Sequence, residues 1–267
     1  MTPKLTIIMP CYNTESKLLT LAIESTMRQT YKNMHLVIGD DASTNADSLE
    51  ALQRAQEAHP DTLSVVRRQE NGGTARAIDA ALGVADDDTD YFAVAASDDF
   101  CHPTWQERRI QLFERLPPQV GIVYDNYMML SEFVVDLNRW SPALGSDGKP
   151  IMRPQTHPIS LRPYDYRTFV ESNYIPGVSM WRASVYEKIS KTFVFDGYDT
   201  ECARHGEDYW HWLAITDYFD AFWLNCDPAL TWTYRFSLKA KSSDRKGVNR
   251  ARAFIQRKAK ERRGLLT

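Results

Sequence analysis

No apolar run in the chain approaches the ~20 residues that a helix needs to cross a bilayer. The start, Met1-Thr2-Pro3-Lys4-Leu5, leads straight into Thr6-Ile7-Ile8-Met9, without the apolar stretch and small-residue cleavage site of a secretory signal. Cysteine is sparse. Cys11, Cys101, Cys202 and Cys226 lie far apart, and none has the paired spacing of a zinc or redox site. Together these absences lead to the expectation of a cytoplasmic chain, with thiols that act as small, partly buried side chains. A Gly-x-x-x-x-Gly-Lys phosphate loop and a dinucleotide fingerprint are also missing, as are internal repeats. What is present is ordinary globular material: 43% hydrophobic, 25% charged and 12% aromatic. Disordered, collagenous and low-complexity classes are excluded. At 267 residues a fold buries roughly 70–75% of its extended surface, enough for one domain with elaborations.

The net charge of −3 conceals an asymmetry. From Arg235 to Thr267 there are 12 Lys and Arg against two acids, Asp244 and Glu261, so a body of −13 carries a tail of +10. Three readings follow. Val248, Ala251, Phe254 and Ile255 can form the apolar stripe of a terminal helix packed on the acidic body. Alternatively the tail docks on an anionic membrane surface as a peripheral anchor, or it neutralises the phosphates of a DNA or RNA acceptor. The first reading ranks highest.

Short apolar runs alternate with amphipathic stretches through the first half. Leu5–Met9, His35–Gly39, Leu63–Val66, Tyr91–Ala95 and Val120–Tyr124 read as buried strands. Between them, Ser16–Gln29, Ser48–Ala58, Thr74–Leu82 and Thr104–Leu116 read as helices. This alternation predicts an α/β fold with a mostly parallel, Rossmann-like sheet flanked by helices. From Ser131 to about Ser160 the pattern gives way to a long Pro-, Gly- and Asp-rich loop. Beyond it, helices are expected near Tyr164–Val170, Ala183–Ser190 and Glu207–Asp217, and strands at Ala221–Leu224 and Ala229–Tyr234.

The chemistry lies after the strands, where ligands of such sheets bind. The second strand ends in Asp40-Asp41 and the fourth in Ser97-Asp98-Asp99. Adjacent carboxylates beside a core are expensive to bury unpartnered. A hard cation, Mg²⁺ or Mn²⁺, suits Ser97-Asp98-Asp99, with phosphate oxygens and water completing its shell. Taken alone, each acidic pair would read as a solvated turn or helix cap. Two pairs on one sheet edge favour a cation or donors such as uracil N3–H and ribose hydroxyls.

The ordered series is more specific than any piece of it. Ile8-Met9-Pro10-Cys11-Tyr12-Asn13 precedes Asp40-Asp41-Ala42-Ser43, Asn71-Gly72-Gly73-Thr74-Ala75-Arg76 and Ser97-Asp98-Asp99. Gly177-Val178-Ser179-Met180-Trp181-Arg182, Gly206-Glu207-Asp208 and Tyr234-Arg235 follow. The chain thereby resembles the family 2 glycosyltransferases of the GT-A fold over about residues 5–235. That resemblance implies an inverting transfer of a sugar from a UDP- or dTDP-sugar to an acceptor hydroxyl, with Mg²⁺ or Mn²⁺. Pro10, Tyr12 and Asp40 would hold the uracil end, Asp98 the ribose and Asp99 the metal, with Arg76 near the diphosphate. Asn13, Asp41, Asn71, Gly72 and Ser97 belong to the same nucleotide site. Asp208 matches the catalytic base, with Glu207 beside it, although acids at a helix start also serve as plain caps. Gly177, Trp181 and Tyr209 fall on the acceptor side, while Trp212 belongs in the core. Phe236 stands where the family often carries a His.

On this reading residues 1–130 are the nucleotide-sugar half and 131–235 the acceptor and base half of one domain. Residues 236–267 form a basic C-terminal helical extension. The acceptor stays open among a glycan, a lipid-linked glycan and nucleic acid, including a hydroxylated base. Two rival readings fit the motifs less well. A sugar-nucleotide pyrophosphorylase would want a Gly-rich basic loop where Pro10-Cys11-Tyr12-Asn13 stands. An inactive glycosyltransferase-like binding protein fits poorly with both Asp99 and Asp208 being present.

Overall fold

A computed structural model describes residues 2–137, 141–195, 205–237 and 245–263. The elements run β1 (Leu5–Cys11), α1 (Ser16–Met27), β2 (Met34–Asp40), α2 (Ala46–Ala58), β3 (Leu63–Arg67), α3 (Thr74–Leu82) and β4 (Tyr91–Val94). Next come β5 (Phe100–Cys101), α4 (Trp105–Phe113), β6 (Val120–Asp125) and β7 (Tyr127–Ser131). The middle of the chain supplies β8 (Val135–Asp136), β9 (Ser141–Pro142), β10 (Gln155–Ile159), α5 (Tyr166–Glu171) and β11 (Met180–Arg182). Finally α6 (Glu207–Thr216), β12 (Asp220–Leu224), β13 (Trp232–Phe236) and α7 (Arg245–Arg262) complete the order.

Seven strands form the main sheet in the order β12-β6-β11-β4-β1-β2-β3. The β3-β2-β1-β4 block is parallel, and β11 alone runs antiparallel, between β4 and β6. Both faces of this sheet are covered, so β1 is buried along nearly its whole length. Its side chains alternate between two cores: Leu5, Ile7, Met9 and Cys11 face one, Ile8 the other. A smaller sheet, β10-β7-β13-β5, lies beyond it.

One buried ion pair braces the sheet's far end. Arg109 on α4 grips Asp125 at the end of β6 in a two-pronged contact (2.6 and 3.1 Å), and its remaining prong donates to the Val178 carbonyl at 3.0 Å. Trp105 Nε1–H adds a third donor to the same carboxylate, and both charged partners are almost fully buried.

The elements expected from sequence are found with small shifts at their ends, and Thr74–Leu82 matches at both ends. Three expectations are corrected. The helix expected over Ala183–Ser190 is a single five-residue turn of 3₁₀ helix, Ala183–Glu187, where Val185 and Tyr186 carry little helix propensity. The strand expected to begin at Ala229 begins at Trp232, after a turn at Pro228–Leu230. Part of the loop expected over 131–160 is strand, β8 to β10.

α7 settles onto the body in the manner ranked first. Ala251, Ile255 and Ala259, spaced by four, are buried. Lys260 pairs with Glu171 at 2.5 Å, while Arg262 and Arg263 pair with Asp217 at 2.6 and 2.7 Å. Lys239 and Lys241 of the basic stretch, and Cys202, lie outside the described residues.

Candidate functional site

Registry builds the site. Cys11 pairs with Asp40 across β1 and β2, and β4 runs beside β1 and leads into Ser97-Asp98-Asp99. Since β11 is antiparallel, its N-terminal end, with Gly177 and Val178 just before it, arrives at the same edge. The carboxyl ends of the parallel strands therefore gather the motifs read from the sequence.

Asp40 is fully buried. Its Oδ1 accepts from the Ser43 amide at 3.2 Å. Arg67 Nε lies 3.4 Å from Oδ2, near enough for attraction but outside hydrogen-bond geometry, so Oδ2 has no hydrogen bond. A buried carboxylate oxygen lacking a donor is costly, and a ligand N–H is the natural remedy. Tyr12, 49% exposed, follows directly on Cys11, the register partner of Asp40. Tyr12, Arg67, Arg68 and Asn71 line an open groove of about 600 Å³.

The neighbouring residues hold this pocket's shape. Asn13, in a left-handed conformation, accepts from the amides of Thr44 and Asn45 at 2.7 and 2.8 Å. Asp41 accepts from Arg68 and from the amides of Gly72 and Gly73, the latter at 2.6 Å. Its carboxylate is thus directed at the Asn71–Thr74 turn, which differs from the direct nucleotide contact expected of it. Asn71 Nδ2 donates to the Asp41 carbonyl. At Gly72 a Cβ would lie 2.4 Å from Arg76 Cδ and 2.5 Å from Arg68 Nη1, so a larger residue there would push both arginine side chains aside.

The Ser97 hydroxyl shares a hydrogen bond with Thr14 at 2.8 Å. Asp98 lines the central cleft. Asp99 is 6% exposed, and its Oδ1 accepts from the Arg235 amide at 2.8 Å. Burial pushes the Asp98 carboxyl up, against the opposing charge of Arg235. Asp99 is pushed well above the ordinary range, by burial first and by the charge of Asp98 second. Two desolvated, mutually repelling carboxylates with all-oxygen donors suit a hard cation. No cluster of three or more metal-ligating side chains occurs among the described residues, so substrate oxygens and water would have to complete the shell of any such ion.

Asp208 occupies the second position of α6, after Gly206 in left-handed conformation. Its Oδ1 accepts from the Tyr209 amide at 2.7 Å, and Asn173 Nδ2 donates to Oδ2 at 3.4 Å. A Cβ on Gly177 would sit 3.4 Å from that same Oδ2, in ordinary van der Waals contact, so Gly177 lies directly beside the carboxylate. Glu207 is buried beside it. Asp208 lies where two hollows meet. One, about 450 Å³, runs to Pro10, Asp98 and Arg235; the other, about 730 Å³, runs outward past Tyr174 and Arg162.

Two acceptor-side assignments are corrected. Trp181 is fully buried, stacked on Phe92, with its Nε1–H bonded to the Tyr186 hydroxyl. Tyr209 is 2% exposed, and its hydroxyl donates to the carbonyls of Phe169 and Val170. Both aromatics sit at spacings that the core claims. The residues missed were Asn173 and Arg252. The first lies four positions before the Gly177 motif, and the second falls beyond the last one. Phe236 packs against Phe133 in the core.

The fold is shared with solved structures. S. aureus TarS superposes over 88% of this chain and 37% of its own, with TM-score 0.59 and 14% identity. A mannosyltransferase of Pyrobaculum calidifontis, solved with GDP-Man and Mn²⁺, matches 90% of this chain and 59% of its own, with TM-score 0.57 and 18% identity. The architecture is therefore of the GT-A type. The family model Glycosyl transferase family 2 matches residues 6–190, and the chain belongs to that family. Among sequence relatives, EpsE of Bacillus subtilis is 31% identical over 146 residues, 55% of this chain and 51% of its own. An uncharacterized glycosyltransferase of Rickettsia bellii is 28% identical over 130 residues, 49% of this chain and 18% of its own. The chain thus spans about half the length of one relative and less of the other.

Proposed function

We propose that the chain is an inverting glycosyltransferase that moves a sugar from a UDP-sugar, or a dTDP-sugar, to an acceptor hydroxyl. The observation that carries this is the placement of Asp208 between two hollows, one of which leads to Asp98 and Arg235. TarS has been solved with UDP and with UDP-GlcNAc, which supports a uridine donor here.

In this reading the base stacks against Tyr12 and its N3–H donates to Asp40 Oδ2, the oxygen that has no hydrogen bond. Asp98 takes the ribose hydroxyls. Asp99 and Asp98 would hold Mg²⁺ or Mn²⁺, which when bound offsets the charge growing on the leaving diphosphate. Arg235 adds fixed positive charge to the same place. Asn173 and the Tyr209 amide hold the Asp208 carboxylate in one orientation. From there it takes the proton of the acceptor hydroxyl as that oxygen attacks the anomeric carbon opposite the diphosphate. Inversion follows from a single displacement. The free thiols of Cys11, Cys101 and Cys226 suit the reducing cytoplasm.

A donor panel of UDP-, dTDP- and GDP-sugars tests the reading, scored by nucleoside diphosphate release with Mg²⁺, with Mn²⁺ and with chelator. Release from uridine or thymidine donors alone, abolished by chelator, is expected. Release from none of them, at enzyme concentrations that give full donor occupancy, contradicts it.

A further inference from the structure

The groove on the far side of Asp208 has a charge of its own. Its walls come from β7, the stretch leading to α5, the 172–176 segment, β13 and the first turns of α7. Asp208 is the sole acid among its lining residues, which include two guanidinium groups, Arg162 and Arg252. Arg162 is exposed, with its charge 5.3 Å from the centre of the Tyr174 ring. Arg252 is half-buried and lines both hollows that meet at Asp208.

The cations of α7 divide along the helix. In the last turns Arg257 and Lys258 pair with Glu261, Lys260 with Glu171, and Arg262 and Arg263 with Asp217. In the first turns Lys246, Arg250 and Arg252 make no ion pair among the described residues. Packing on the body thus accounts for Lys260, Arg262 and Arg263, and pairing within the helix for Arg257 and Lys258. Neither accounts for Arg252, which lines the groove, or for Arg162, which lines it from the stretch before α5.

Resting on the glycosyltransferase reading, we propose that the acceptor is a saccharide bearing an anionic group, a carboxylate or a phosphate, bound between Arg162 and Arg252. Guanidinium groups recognise both anions through paired N–H donors. Tyr174 and Tyr234 offer ring surface for the sugar. A hollow of about 730 Å³ suits a ligand of a few rings, within the ~300–1,000 Å³ common for such sites. Two cations in one hollow suit a small anionic ligand, whereas a nucleic-acid strand would call for a longer basic track.

The test uses the whole chain with UDP and Mn²⁺ present, and calorimetry against methyl glucoside, methyl glucuronoside and glucose 6-phosphate. The anionic probes should bind at least tenfold more tightly than the neutral one, and the preference should shrink with added salt. The carboxylate and phosphate arms identify which anion is favoured. Arg162→Gln and Arg252→Gln should each reduce the preference severalfold, while Arg250→Gln, on the exposed side of α7, leaves it intact. Equal binding of neutral and anionic probes overturns the proposal, as does a preference that persists in both variants. Loss of UDP affinity in Arg252→Gln would assign that charge to the donor diphosphate and also overturn it. A short oligonucleotide that displaces the saccharides overturns it in favour of a nucleic-acid acceptor. A chain that binds no UDP in the first titration fails the underlying reading, and this one with it.

Discussion

At the scale of single residues, acids of the same type are set to different tasks by what surrounds them. Asp40 keeps one buried oxygen without a hydrogen bond, and Asp41 beside it gives its carboxylate to the Arg68 side chain and two backbone amides. Asp99 is desolvated next to Asp98, while Asp208 is oriented by an amide on one side and Asn173 on the other. Distinct losses follow. Asp208→Asn keeps the shape and should lower turnover about 10²–10⁴-fold with UDP affinity unchanged, measured by single-turnover kinetics beside calorimetry. Asp99→Asn retains an oxygen to accept from the Arg235 amide, so the variant should fold. It should lose the increment in UDP affinity that Mn²⁺ confers, and an increment equal to wild type would move the metal elsewhere.

At the scale of elements, α7 packs against the start of α6, the helix that carries Asp208. A Cβ on Gly206 would lie 3.0 Å from Ile255 Cδ1, and Gly206 has a φ of +83°, so helix and loop meet with no room between them. Ile255→Ala removes a fully buried side chain and should cost about 2–5 kcal/mol, read by urea unfolding, with turnover falling further than donor affinity. A variant with wild-type stability would mean the helix is not docked. How much of this was legible in the sequence depends on the kind of signal. The parallel strands announced themselves because burial on both faces makes them continuous apolar runs, and the Asp pairs at their ends stood out against that background. β8 to β10 lay hidden, since two- to five-residue edge strands rich in Pro and Ser carry no periodicity. Trp181 and Tyr209 misled because an aromatic near a motif looks the same whether it stacks on a ligand or on Phe92. Arg252 was unreadable for another reason. Nothing local separates it from Arg262, and only the packing of α7 brings one to the groove and the other to Asp217.

At the scale of the whole molecule, one chain makes two cores on either side of a sheet and sets its chemistry along a single edge. The cost of that packing includes a trapped imidazole. His211 lies fully inside, stacked on Phe193 and bonded to the Thr192 carbonyl and the Tyr186 hydroxyl. Burial pushes its pKa down to about 3, far below the ordinary 6.5. The unfolded chain therefore binds the proton first. Stability from this residue is complete above about pH 6.5 and is lost progressively as pH falls toward 3. Urea titrations between pH 7 and pH 4 should show a steeper loss in wild type than in His211→Gln, which has no proton to take up; parallel curves would contradict the burial.

Among described residues no helix is long and apolar enough to cross a membrane. The central claim is a single inverting displacement with Asp208 as base, and the anomer first formed tests it most directly. With Mn²⁺, an α-linked UDP-sugar and water as acceptor, proton NMR in the first minutes should show the β sugar appearing ahead of mutarotation, with Asp208→Asn slowing its appearance by at least a hundredfold. The α sugar appearing first, or an Asp208→Asn rate equal to wild type, would contradict the account.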